Sequence, residues 1–94
     1  MKTAKQLERY FKGVSNHRRV DILILVSKAP NISLEKIAEN IDCDIKNACQ
    51  HTQKLVHAGL LNKKYCGRTV GHSISPYGKK FISFMKSFSA HAEQ

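Results

Sequence analysis

Between Ser33 and Gly59 the apolar positions repeat twice with helical spacing. Leu34, Ile37, Ala38 and Ile41 fall at i, i+3, i+4 and i+7, which places them on one helix face. Ile45, Ala48, Cys49, Thr52, Leu55, Val56 and Gly59 form a second stripe of the same period. Ser33 and Asp44 stand where N-caps are needed, each with a side-chain oxygen that can accept from a free amide of the first turn, and Glu35 suits the positive end of the helix dipole. Only Asp42 and Cys43 lie clearly between the two patterns. The spacing therefore predicts two helices meeting at a tight corner, a helix-turn-helix.

The flanking chain extends this pattern. Leu7, Tyr10, Phe11 and Val14 predict an amphipathic helix over Lys2 to Val14, whose apolar face needs either the domain's own core or a second subunit. After Gly13, Ser15 and Asn16, a helix is expected from about His17 to Lys28 with Ser15 or Asn16 as its cap. The run of Val20, Ile22, Leu23, Ile24, Leu25 and Val26 would also suit a buried strand. Asp21 inside it and the His17-Arg18-Arg19 lead favour a central helix, ended by Pro30.

Gly59 is placed to stop the second helix of the corner. Two short runs, about Leu61 to Tyr65 and Thr69 to Ser75, then flank Cys66-Gly67-Arg68. The glycine can take the positive φ of a hairpin turn, and Val70, His72 and Ile74 alternate with polar or small neighbours. A β-hairpin with a basic tip is expected. Ser75-Pro76 opens a last helix with Phe81, Ile82, Met85 and Phe88 on its apolar face and Phe84 beside them. So aromatic a terminal helix points to a contact between subunits; ordinary core packing is the alternative.

Charge sharpens the picture. The 94 residues suffice for one domain with a modest core, and their net charge of +9 favours a polyanionic partner. From Ile45 to Ala92 there is no carboxylate side chain, yet that span holds Lys46, Lys54, Lys63, Lys64, Arg68, Lys79, Lys80 and Lys86. On the second helix of the corner, the positions off the apolar stripe are Lys46, Asn47, Gln50, His51, Gln53, Lys54 and His57. A merely solvated face would mix in Glu and Asp for i,i+4 pairing. What remains is amides and cations, side chains that read base edges in a major groove.

No stretch approaches the roughly 20 apolar residues of a membrane span, and the N-terminus lacks a signal peptide's apolar core. A cytoplasmic protein without membrane attachment is expected. Cys43, Cys49 and Cys66 show no C-x-x-C spacing, so reduced thiols are expected rather than a disulfide framework or a zinc site. Paired carboxylates, a nucleophile constellation and a phosphate-cradling glycine loop are all missing from the basic half. No enzymatic activity, metal or cofactor is expected.

Three passages carry a family resemblance. SNHRRVDILILV is similar to the S-x-x-x-R-x-x-I-L-x-x-L opening of the ArsR-type transcriptional regulators. IAENIDCDIKNACQHTQKLVHAGLL follows their L-A-x-x-L-x-x-S-x-x-x-V-S-x-H-L-x-x-L-x-x-A-G-L-V core without a gap, and CGRTVGHSI resembles their wing. MarR-type and other winged regulators share part of the core passage. The resemblance implies a mainly α fold with a small β-hairpin: a winged helix-turn-helix of about five helices and a two-stranded wing, forming one domain with terminal helices for dimerisation. It further implies a homodimeric repressor or activator, with Asp44 to Gly59 as recognition helix and Asn62 to His72 as wing. Asp44 replaces the family's Ser cap, and Thr52 stands where the family has Leu. Ser33 and Glu35 occupy the positions of the C-x-C motif carried by metal-sensing members, so that metal site is not expected.

On this basis Lys46, Asn47, Gln50 and His51 are the expected base readers on double-stranded DNA. Gln53, Lys54, Lys63, Lys64 and Arg68 are the expected backbone contacts, Arg68 having the further option of a narrow minor groove. Leu7, Tyr10, Phe11, Phe81, Phe84, Met85 and Phe88 are the expected dimer contacts. Two competing functions remain: a winged-helix module for protein contact, and a sensor using Cys43, Cys66, or His91 with Glu93.

Overall fold

A computed structural model describes residues 1–92, with side chains through Ala90; the side chains of His91 and Glu93, weighed above as a sensor, lie outside the described residues. Helix α1 spans Ala4–Val14 and opens with a reciprocal capping box, in which Thr3 and Gln6 each accept the other's backbone N–H. Helix α2 spans His17–Lys28, with Asn16 as the cap that accepts from the Arg18 amide. The apolar run inside α2 is helical, as Asp21 indicated: Ile22, Leu23 and Val26 are fully buried while Asp21 and Ile24 face outward.

The corner follows as the spacing predicts. Helix α3 (Leu34–Asn40) is capped by Ser33 and α4 (Ile45–His57) by Asp44. Asp42 takes a positive φ of 53° in the turn between them, a conformation that an Asx side chain tolerates. Gly59, at φ +80°, ends the α4 region, and Gly67, at φ +63°, turns the hairpin of β2 (Leu61–Cys66) and β3 (Thr69–Ile74). Helix α5 spans Pro76–Ala92.

The wing departs from the expected two strands. Ile32–Ser33 forms a short strand β1 that pairs antiparallel with β3, giving a three-stranded sheet in the order β1-β3-β2. A two-residue strand has no period to read in a sequence. It exists because Asn31, at φ 65°, turns the chain after Pro30 and sets Ile32 opposite His72.

The core joins Ile22, Leu23 and Val26 of α2 to Ile37 of α3, Leu55 of α4, and Leu60 and Leu61 beyond it. Burying seven such side chains, at about 1.5–3 kcal/mol each, is the main term holding α3 and α4 at their angle. Thr52, in a buried position, satisfies its hydroxyl by donating to the Cys49 carbonyl at 2.9 Å, so the departure from Leu leaves no unpaired polar atom there. Ser75 fastens the start of α5 to the end of α4: its hydroxyl donates to the Gly59 carbonyl (2.6 Å) and accepts from the Gly78 amide (3.0 Å).

Candidate nucleic-acid interface

Because Ala48, Thr52 and Leu55 turn inward, α4 presents Lys46, Asn47, Gln50, Gln53, Lys54 and His57 to solvent. The Asp44 carboxylate accepts from the Asn47 backbone N–H at 2.8 Å and from its side-chain amide at 3.0 Å. Asn47 is thereby oriented by the cap, with one amide hydrogen and its carbonyl oxygen left for a ligand.

Two positions on this helix differ from the sequence reading. Ile45, expected in the packed stripe, is 49% exposed. It is the first residue of α4, directly after the Asp44 cap, and its side chain joins the exposed face. His51, expected to read bases, is half-buried and turned toward α2, where its Nδ1 lies 3.3 Å from Arg19 Nε. Burial, and after it the charges of Arg19, Arg18 and His17, hold the imidazole below its usual pKa. Neutral His51 accepts a hydrogen bond from Arg19 Nε–H, which ties α4 to the head of α2.

The two arginines at the head of α2 make long-range contacts that the amino-acid pattern did not single out. Arg18 Nη1 donates to the carbonyls of Ile41 (2.7 Å) and Asp42 (3.3 Å), clamping the turn between α3 and α4. Arg19 donates to the carbonyls of Lys12 (3.1 Å) and Gly13 (3.5 Å) at the end of α1 as well as to His51. The signal was the adjacent Arg18-Arg19 pair preceding an apolar run, a place where solvated cations have no evident purpose.

On the wing, Lys63, Lys64 and Arg68 are all exposed, but strand alternation sends them different ways. Lys63 pairs with His72 in the register and faces α4 across a depression shared with Gln53 and His57. Lys64 points from the opposite face, and Arg68 stands at the tip beside Gly67. Tyr65 is 69% exposed with the Lys63 ammonium 5.5 Å from its ring centre, adding an aromatic surface to the basic ribbon. His72 is buried, with Nδ1 donating to the Ile32 carbonyl at 3.4 Å, and its pKa is lowered chiefly by burial.

The residues expected at a dimer seam separate into two sets. Phe11, Phe84 and Phe88 are more than half exposed, and Phe81 meets Phe11 edge-on at 5.7 Å between ring centres. Leu7 is half-buried. Tyr10, by contrast, is buried in the chain's own core against Gly59 and Tyr77, and both Phe81 and Met85 pack partly on that core. Their helical stripes are wide enough to serve both surfaces, and these three lie on the inward edge. Among the described residues no group of three His, Cys, Asp or Glu side chains is arranged to hold a metal, and no helix is long and apolar enough to cross a membrane.

Solved structures share this architecture. The chain superposes with a TM-score of 0.85 on the homodimeric winged helix-turn-helix DNA-binding domain of a possible ArsR-family transcriptional regulator from Mycobacterium bovis, at 24% identity over 95% of this chain and 83% of that one. HlyU from Vibrio cholerae matches at a TM-score of 0.80 and 21% identity, covering 90% of both chains. NolR from Sinorhizobium fredii matches at 0.82 and 19% identity, over 90% of this chain and 85% of that one. Neither a family model nor a curated protein sequence matches the chain. The fold is a winged helix-turn-helix.

Proposed function

We propose that this chain is a sequence-specific double-stranded DNA-binding transcriptional regulator of the ArsR type, a homodimeric repressor acting in the cytoplasm without enzymatic activity. The observation that carries this reading is the face of α4. Lys46, Asn47, Gln50, Gln53 and Lys54 meet solvent together with no carboxylate beyond the Asp44 cap, beside a wing that adds Lys63, Lys64 and Arg68.

Helix-turn-helix docking puts the N-terminal half of α4 in the major groove. Lys46 then donates to guanine O6 or N7, and Asn47 and Gln50 pair with the N6/N7 edge of adenine. Ile45 extends this set, its exposed side chain suiting contact with a thymine methyl group. Gln53 and Lys54, farther along, meet phosphates, as do Lys64 and Arg68 from the wing. His51 is assigned to positioning rather than reading.

Dimerisation through Phe11, Phe81, Phe84 and Phe88 would place two such helices on a palindrome. The homodimeric state of the Mycobacterium bovis domain supports this arrangement.

The test is selection from a random-sequence duplex pool at two salt concentrations, followed by sequencing of the retained fraction. The expected result is an enriched palindrome with half-sites about 10 base pairs apart and affinity that falls steeply with salt. Salt-sensitive retention without enrichment would replace the reading with non-specific DNA coating. No retention at low salt would replace it with a protein-contact module.

A further inference from the structure

The flank of α5 turned away from its phenylalanines forms one wall of a groove whose other walls are α2 and β3, with a volume of about 660 Å³, within the range of small-molecule sites, about 300–1,000 Å³. Its floor is apolar, made by Ile24, Ile74, Ile82 and Met85, and its rim carries three lysines, Lys28, Lys79 and Lys86. No carboxylate lines it. The ion pairs formed among the described residues, Lys12 with Glu8 and Lys36 with Glu39, involve none of the three. Ile24 is 37% exposed in a helix whose next residues inward are fully buried.

We propose that this groove binds a small amphipathic organic anion, its apolar body on the isoleucine and methionine floor and its carboxylate among the three ammonium groups. Each half of the site matches one half of such a ligand. The floor gains from burial in proportion to area, and the rim supplies charge-assisted donors that nothing in the groove neutralises.

The aromatic face of α5 proposed for dimerisation is separate from this groove. At 100° per residue, Phe81, Phe84 and Phe88 lie on a different flank of α5 from Ile82, Lys86 and Ser89, so the groove stays open when the aromatic face is covered.

The proposal is tested without DNA, so its failure leaves the DNA-binding reading untouched. Calorimetric titration of the whole chain with octanoate, far below its micelle concentration, is compared with 1-octanol. The expected result is saturable octanoate binding, one molecule per chain, at least about tenfold tighter than octanol. Replacing Lys79 and Lys86 together with Ala should remove that advantage and leave octanol unchanged, and the methyl resonances of Ile24, Ile82 and Met85 should shift with octanoate. Absence of saturable binding, equal affinity for octanol, or indifference to the lysine changes would overturn it. Dissociation of a dimer by Ile24→Asp in sedimentation would also overturn it, because the groove would then be the seam between copies.

Discussion

Arg19 Nε donates to Nδ1 of His51 across 3.3 Å, while its Nη1 holds the carbonyls at the end of α1. One guanidinium therefore connects the N-terminal helix to the back of the helix proposed to enter DNA. Arg19→Met is expected to weaken duplex binding at every sequence alike, by about 1–3 kcal/mol for the loss of charge-assisted hydrogen bonds, and to speed amide exchange in α4. His51→Ala should leave base preference as it is. A changed consensus in a selection made with His51→Ala would return that residue to the reading face.

Gln50 and Arg68 should separate reading from holding. Gln50→Ala is expected to relax preference at one base pair of each half-site, by about 1–3 kcal/mol. Arg68→Ala should lower affinity for all duplexes and reduce the salt slope by about one. Quantitative binding to a panel of single-base variants at several salt concentrations distinguishes the two.

Phe84 and Phe88 are 54% and 62% exposed, with ring centres 5.9 Å apart. Phe84→Asp with Phe88→Asp should shift sedimentation to the monomer while far-ultraviolet dichroism stays unchanged, since neither ring belongs to the core. A dimer that survives both changes would place the seam elsewhere.

Acid should destabilise the fold. His72 and His51 both have pKa values below the ordinary 6.5, for which burial is the leading cause. Below pH 6.5 the unfolded chain therefore binds more protons than the native one. Stability present above 6.5 is lost as pH falls through the folded-state values. Denaturant midpoints at pH 7.5 and pH 5.5 should show the decline, and His72→Gln should flatten it.

Gly78 lies against the Leu60 carbonyl, and a Cβ there would overlap both that oxygen and Ile74. Its φ is not in the left-handed region, so the cost of Gly78→Ala is steric. Thermal unfolding should show a loss of about 1–3 kcal/mol, as for other overpacked sites. No loss would mean that α5 can shift away from β3.

The legible parts of this molecule are those decided within a few residues. The caps Ser33 and Asp44, the bounds of α2, the helical reading of its apolar run, and the hairpin glycine Gly67 follow from hydrogen bonds to the next turn and from steric limits on φ, whereas only the structure chooses Asn16 over Ser15 as the α2 cap. The carboxylate-free span after Asp44 is likewise a property of composition. Less legible was direction. The stripe through Ile45 and the polar set containing His51 were correctly placed on a helix, but at their margins a few tens of degrees decide between core and solvent.

The amino-acid sequence by itself determined five helices, a sharp corner between two of them, a basic hairpin and the segregation of charge, because each depends on neighbours along the chain. Tertiary structure alone decided that Ile45 faces out, that His51 leans on Arg19, that Tyr10 belongs to the core while Phe11 does not, and that Ile32 and Ser33 become a third strand. Ile45 is left outside because the core is already closed beneath it, and the other three need a partner distant in sequence, Arg19 for His51, Tyr77 for Tyr10 and His72 for Ile32. Local periodicity carries no information about where such partners come to rest.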